Sequence, residues 1–84
     1  MIHTIIECTK SAFKHGVCEA DIHHAILHPI YDEIQDSDDD IHLLLGFDHS
    51  MNLLEIAYNI INEKTFKVFH AMKCRNSYYK LLRR

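Results

Sequence analysis

The sequence has few residues that interrupt regular structure: its 84 residues include two glycines, one proline and no tryptophan. Its three cysteines, Cys8, Cys18 and Cys74, are an odd number at wide spacings, and no CxxC motif is present. This pattern argues against both a disulfide framework and a zinc knuckle. We therefore expect reduced thiols, as in a cytoplasmic protein.

Long apolar segments are also missing. The longest uninterrupted runs have three residues, as in Leu43-Leu44-Leu45, whereas a membrane-spanning helix needs about 20. We expect no signal peptide, because the first residues have neither a basic start nor a continuous apolar run. Hydrophobic residues make up 48% of the chain and charged residues 25%, the balance of a globular protein. We expect one domain over residues 1–84, with no membrane partner.

Charge is distributed unevenly along the chain, although the net charge is only −3. Residues 1–62 contain eleven acidic and two basic residues, whereas residues 63–84 contain one acidic and seven basic residues. This asymmetry is typical of a protein whose C-terminal part meets an anionic partner. A basic helix end on an ordinary surface would produce the same pattern.

Two helices are predicted at the start of the chain. Apolar residues at helical spacing predict a first helix over about Thr4 to His15, ended by Gly16, a residue that tolerates positive φ. A second helix is predicted to open at Cys18 and to end before Pro29. The short link between the helices predicts that they pack as a hairpin.

The remainder of the chain predicts strands and one further helix. Alternating apolar residues indicate four strands over about 30–35, 41–47, 53–61 and 65–72, and a last helix over about 75–83. The predicted fold class is therefore α+β: two N-terminal helices, a four-stranded antiparallel sheet and a C-terminal helix. We expect the helices to cover one face of the sheet and to leave the other uncovered.

The third and fourth predicted strands place a carboxylate near an imidazole. If Asn62-Glu63 forms a two-residue turn, Glu55 lies directly opposite His70 on the uncovered face, with the Cβ atoms within about 5.5 Å. Such a pair could act in acid–base catalysis, because histidine titrates near neutral pH. An incidental cross-strand ion pair is the alternative interpretation.

Further candidates follow the fourth strand. Arg75 could bind a phosphate with two parallel N–H groups, a geometry that only arginine offers. Tyr79 is a surface aromatic that could stack on a base, whereas Tyr78 falls on the apolar stripe of the last helix and is expected in the core.

Histidine is abundant, with eight residues in 84, so a metal site has to be considered. His24 and His28 lie one helical turn apart, a spacing that can hold zinc, but the sequence supplies no obvious third ligand. The acidic segment at residues 36–40 lacks the glycine and the closing glutamate of a calcium-binding EF-hand loop. We therefore predict no metal and no cofactor.

Several motifs together resemble the BrnT-like toxins of type II toxin–antitoxin systems. The resemblance covers about Phe13 to Tyr79, and the order of the motifs makes it more specific than any one of them. Its parts are KHGVCEADI at residues 14–22, then Ala25-Ile26 and His28-Pro29, LLGFD at 44–48, LLEI at 53–56 and HAMKCRNSY at 70–78.

The resemblance implies a RelE-like fold and a metal-independent endoribonuclease that a cognate antitoxin neutralises. Glu55 or His70 would activate the ribose 2′-OH, and Arg75 would stabilise the phosphate as negative charge builds on it. The chain would form a homodimer or a toxin–antitoxin hetero-oligomer. The residues expected to contact RNA are Lys14, His15, Lys73, Tyr79 and Lys80.

Two alternatives of a different class remain open. A catalytically inactive protein-interaction module would use the acidic residues 1–62 as a docking surface for a basic partner. A histidine-rich metal-binding domain is the other alternative.

Overall fold

Within residues 4–83, which the computed structural model describes, five strands form one mixed sheet. The sheet order is β1-β5-β4-β3-β2; β1 runs parallel to β5, and the other neighbours are antiparallel. Arg84, part of the predicted basic segment, lies outside the described residues. The elements are β1 (Ile5–Cys8), α1 (Glu19–Leu27), β2 (Pro29–Asp36), β3 (Ile41–Phe47), β4 (Leu53–Ile61), β5 (Thr65–Lys73) and α2 (Asn76–Tyr79), with 3-10 turns at Lys10–Phe13 and Lys80–Leu82.

The predicted fold class is wrong, because the sheet is neither four-stranded nor wholly antiparallel. The segment predicted as the first helix contains β1 and a 3-10 turn, so the predicted helical hairpin does not form. Ile5 and Ile6 are β-branched and favour an extended backbone. The open edge of β5 pairs with them in parallel, a long-range contact that helical spacing cannot reveal. The RelE-like arrangement implied by the resemblance is therefore replaced by this mixed sheet.

The segment that follows agrees with its own prediction. Helix α1 begins one residue after Cys18 and ends at Leu27, before Pro29. Gly16 has the expected positive φ, 82°, but it follows a 3-10 turn rather than an α-helix. None of the helices described within residues 4–83 is long and apolar enough to cross a membrane.

The helices lie on both faces of the sheet, not on one as predicted. Helix α1 packs on the face that presents Leu44, Leu54 and Ile56. The C-terminal helical segment packs through Tyr78 and Leu81 on the opposite face, which presents Leu43 and Leu45. Neighbouring residues of a strand point to opposite faces, so the continuous Leu43-Leu44-Leu45 run serves both cores.

The register between β4 and β5 also differs from the prediction. The turn has three residues, 62–64, because Ile61 pairs with Thr65, and both Asn62 and Glu63 have positive φ. A bulge then leaves Phe69 as an extra residue between those that pair with Tyr58 and Ala57. The longer turn and the bulge each move the pairing by one position. Beyond the bulge, β5 is therefore shifted by two positions along β4 relative to the predicted register.

The assumed two-residue turn would place Ile60 and Phe69 on the core face of the sheet, but neither residue is buried there. Ile60 is 37% exposed near the turn. Phe69 is half-buried and lines a cleft on the opposite face from α1. Ala71 is fully buried in the core, as the predicted register also implies, and Val68 is fully buried there in place of Phe69.

Gly46 allows α1 to approach β3 closely. A Cβ at this position would lie 2.4 Å from the backbone oxygen of Ala25. That oxygen belongs to the helix backbone and cannot move without displacing α1. The packing of the helix on the sheet therefore requires the absence of a side chain here.

We expect Gly46→Ala to lower the free energy of unfolding by about 1–3 kcal/mol, the cost of overpacking a filled interior. Urea denaturation followed by circular dichroism measures this loss. Ser50→Ala, in an exposed loop, is the control and should stay within about 0.5 kcal/mol of the wild type. Equal stability of Gly46→Ala and the control would contradict the close helix–sheet packing.

Candidate functional site

Glu55 is the centre of a hydrogen-bonded group on the face opposite α1. Its side chain is 1% exposed. Oε1 accepts hydrogen bonds from the backbone N–H of Arg75 at 2.9 Å and from its Nε at 3.1 Å. Oε2 accepts from Nη2 of Arg75 at 2.8 Å and pairs with Nε2 of His70 at 2.9 Å. Four contacts occupy the whole acceptor capacity of the carboxylate.

The environment of Glu55 favours its charged form. Burial alone would raise the pKa of this carboxyl, but the hydrogen bonds from the Arg75 side chain, the Arg75 backbone and His70 outweigh burial and hold the pKa below its ordinary value. The same contact raises the pKa of Arg75. Glu55 is therefore a buried anion that fixes the positions of its two neighbours.

The predicted direct pairing of Glu55 and His70 is wrong, since Glu55 lies opposite Met72 and His70 opposite Ala57. The two still share a face, because positions two apart on a strand point the same way. They meet diagonally instead of directly. The face was also expected to be uncovered, whereas the C-terminal segment covers part of it and buries Glu55. Glu55 thereby keeps only 1% of its side chain exposed.

His70 is the member of the group that a substrate can reach. Its side chain is 28% exposed, and Nε2 faces the carboxylate. With Nε2–H donating to Glu55, the lone pair of a neutral imidazole lies on Nδ1. Among residues 4–83, Nδ1 has no hydrogen-bond partner. The carboxylate thus orients His70 with its basic nitrogen available.

Arg75 is anchored on one side and accessible on the other. Its Nε and Nη2 bind Glu55, and Nη2 also donates to the Tyr78 hydroxyl at 3.2 Å. The guanidinium lies 5.0 Å from the centre of the Tyr78 ring. The side chain is nevertheless 54% exposed, and Nη1 has no protein acceptor within the described residues. A fixed cation with two free N–H groups suits an anionic ligand.

A cleft of about 330 Å³ brings these groups together with the 3-10 turn after β1. Lys14 and His15, predicted from the sequence as RNA contacts, line the same cleft as Glu55, His70 and Arg75. The rings of His15 and His70 meet edge to face, with centroids 5.5 Å apart. His42 lines it as well, so three imidazoles, one lysine and one arginine surround this cavity.

The other predicted RNA contacts lie elsewhere. Lys73 lines a second cleft, of about 380 Å³, which shares His15 with the first. Tyr79 is 44% exposed on α2, and Lys80 is exposed in the turn that follows it. Neither of these two residues lines either cleft.

Tyr78 and Ser11 are among the residues of the first cleft that sequence reasoning did not assign to the site. Tyr78 was assigned to the core alone, yet it both packs on Leu43 and Leu45 and contacts Arg75. The available signal was its position three residues after Arg75, the residue that precedes α2. Ser11 also lines the cleft and donates a hydrogen bond to the backbone oxygen of Phe69 at 2.7 Å, and no sequence motif pointed to it.

The His24–His28 pair does not gather a set of metal ligands in the part of the chain described. The two rings stack with centroids 4.6 Å apart. Nδ1 of His24 contacts the backbone oxygen of Phe47 at 2.8 Å, and Nδ1 of His28 contacts that of His24 at 3.0 Å. These contacts fix the rings against the backbone.

Comparison of the chain with protein-family models, with curated proteins and with solved structures gives no match. The likeness to BrnT-like toxins therefore remains a resemblance carried by short motifs. Function has to be argued from the cleft itself.

The lowered pKa of Glu55 has a consequence for stability. A carboxyl with a lowered folded-state pKa stabilises the fold above its unfolded pKa of about 4.3, and this contribution is lost as pH falls through the folded value. We expect Glu55→Gln to lower the free energy of unfolding at pH 7 by about 2 kcal/mol, since it weakens hydrogen bonds to charged groups. The difference from the wild type should shrink below about pH 4. Urea denaturation between pH 3 and pH 7 tests this.

Glu7→Gln is the matched control, because it removes one negative charge from an exposed side chain of β1. If Glu7→Gln reproduces the behaviour of Glu55→Gln, net charge rather than the buried contact is responsible. If Glu55→Gln remains equally less stable than the wild type at pH 3, the change in side-chain packing, and not the lost negative charge, explains the lower free energy of unfolding.

Proposed function

We propose that the chain is a metal-independent endoribonuclease. The observation that carries this proposal is the accessible imidazole of His70, held by a buried carboxylate beside an anchored arginine in one cleft. RNA carries its own nucleophile, the ribose 2′-OH, so its cleavage requires a base, an acid and a cation rather than a nucleophilic side chain. The cleft contains residues suited to each role.

In the proposed step, Nδ1 of His70 accepts the proton of the 2′-OH, and the 2′-oxygen attacks the adjacent phosphorus. The bond from phosphorus to the 5′-oxygen breaks. The products are a 2′,3′-cyclic phosphate and a 5′-hydroxyl end. Glu55 stabilises the imidazolium that forms on His70, as a buried carboxylate does for a catalytic histidine. Glu55 is thus a positioning residue here.

The leaving 5′-oxygen needs a proton, which protonated His15 supplies in this proposal. Its ring is close to that of His70 and lines the same cleft, so both can reach one phosphodiester. Arg75 and Lys14 would stabilise the negative charge on the phosphorane oxygens. The fixed orientation of Arg75 supports this role, because an immobilised donor needs no reorganisation during the reaction.

The resemblance to BrnT-like toxins supports the biological setting that we propose: a cytoplasmic toxin that a cognate antitoxin neutralises. The mixed sheet does not decide for or against that setting, since fold and function are separable. In this proposal Lys73, Tyr79 and Lys80 bind RNA outside the cleft, on the basic C-terminal part of the chain.

We expect His70→Ala to lower the rate of RNA cleavage by about 10²–10⁴-fold, the usual contribution of a general base. The assay is cleavage of a fluorescent RNA oligonucleotide by the purified chain, with a chelator present throughout. His28→Ala is the control, because His28 is exposed on the α1 face and does not line the cleft. Intact RNA with the wild-type chain, or equal rates for the two variants, would refute the proposal.

The role of His15 has a separate test. His15→Ala should slow cleavage of RNA by about 10²-fold or more, but it should not slow cleavage of a uridine 3′-phosphodiester with a p-nitrophenyl leaving group. That group departs without a proton, so the acid becomes unnecessary. Equal losses on the two substrates would assign His15 to binding instead. A 2′-deoxyribose at the cleavage site should block the reaction in every variant.

A second candidate function, a catalytically inactive interaction module, is favoured by the β2 edge of the sheet. There Ile30 is 48% exposed and Ile34 57% exposed, close to the acidic turn at residues 36–40. A basic partner could add a strand to this edge. Normal cell growth on expression, together with intact RNA, would favour this function over the nuclease.

A further inference from the structure

Three side chains of different chemistry meet where β1 ends and α1 begins. Cys8 is the last residue of β1, Glu19 is the first of α1, and His23 lies one helical turn later. Each residue offers one possible ligand atom: a sulfur, a carboxylate oxygen and an imidazole nitrogen. These three atoms lie within 4.8 Å of one another. Within residues 4–83, no other group of three His, Cys, Asp or Glu side chains brings its ligand atoms this close together.

The imidazole of His23 lacks a partner in this group. Its Nε2 is buried and has no hydrogen bond, alone among the buried side-chain polar atoms of the described residues. The nearest carboxylate oxygen, on Glu19, is 3.9 Å away, which is too far for a hydrogen bond. A buried polar atom without a partner destabilises a fold. The ring as a whole is 42% exposed, so the nitrogen is covered by its neighbours rather than by depth in the core.

We propose that Cys8, Glu19 and His23 bind one zinc-class divalent cation. Thiolate, imidazole and carboxylate are the three ligand types that zinc prefers, and a soft thiolate disfavours magnesium and calcium. Water would fill the fourth tetrahedral position. On binding, the Cys8 thiol releases its proton to solvent and the sulfur bonds to the metal.

The observed spacing needs only a small adjustment. Tetrahedral bonds of about 2.0–2.3 Å place ligand atoms about 3.3–3.8 Å apart, against the present upper separation of 4.8 Å. The Glu19 side chain is 62% exposed and can rotate inward. Cys8 and His23 are attached to different elements that already pack on one core, so the cation would join a short edge strand to α1.

This site is independent of the proposed nuclease. Cys8 packs against the core on the α1 side of the sheet, whereas Glu55 and His70 lie on the other side. A chelator should therefore remove the cation and leave RNA cleavage unchanged. Either proposal can fail without affecting the other.

Cobalt is the probe for the site, because a bond from thiolate to Co²⁺ produces a charge-transfer absorption band. The full chain, reduced and freed of metal, should bind one equivalent of Co²⁺ with this band, and Zn²⁺ should displace it. Saturating Zn²⁺ should raise Tm by about 10 °C or more. No band and no change in Tm would overturn the proposal.

Variants assign the ligands. Cys8→Ser and His23→Gln should each abolish the band and the rise in Tm, and circular dichroism would verify that each still folds. The control is Cys18→Ser, since Cys18 is exposed and lies one residue before α1, and it should retain both signals. A band that survives in Cys8→Ser, or that disappears in Cys18→Ser, would overturn the assignment.

Discussion

The contact between Glu55 and Arg75 links the sheet to the C-terminal segment. Glu55 lies within β4 and is buried, and both the backbone and the side chain of Arg75 donate hydrogen bonds to it. An isolated buried carboxylate would be strongly unfavourable, so the fold requires these donors to be in place. Formation of the contact brings the end of β5 back over the sheet. It thereby positions Tyr78 against Leu43 and Leu45 and orients His70 in the cleft.

The same arrangement places two residues that the sequence suggested as equivalent in different environments. Glu55 and His70 were both candidates to activate the ribose. Glu55 is buried and its four acceptor positions are occupied, whereas His70 is partly exposed and keeps a ring nitrogen without a hydrogen-bond partner in the described part of the chain. A carboxylate that is saturated by its neighbours is suited to fixing geometry, and an exposed imidazole is suited to moving a proton.

The sequence allowed part of this site to be predicted, because neighbouring residues of a strand point to opposite faces of the sheet. An error of two positions in the pairing of β4 with β5 therefore leaves each side chain facing the same side of the sheet, whereas an error of one position would not. The assumed turn was one residue too short and the bulge at Phe69 was not foreseen, yet the two changes together kept Glu55 and His70 on one face. Local patterns could not reveal the role of Ile5 and Ile6, because their strand exists through pairing with residues some sixty positions away. Burial of Glu55 was missed for a similar reason, since its cover comes from the C-terminal segment.

The parallel pairing of β1 with β5 has a consequence for biosynthesis. Ile5 and its neighbours leave the ribosome well before their hydrogen-bonding partners, which begin at Thr65. Until those partners emerge, Ile5 and Ile6 have no strand edge to pair with, and the nascent chain carries an unpaired, apolar segment. Closing so large a loop is entropically costly and slow. Completion of the sheet is therefore expected to wait until the strand that begins at Thr65 has emerged, and a chaperone or another nascent chain can bind the unpaired strand before then.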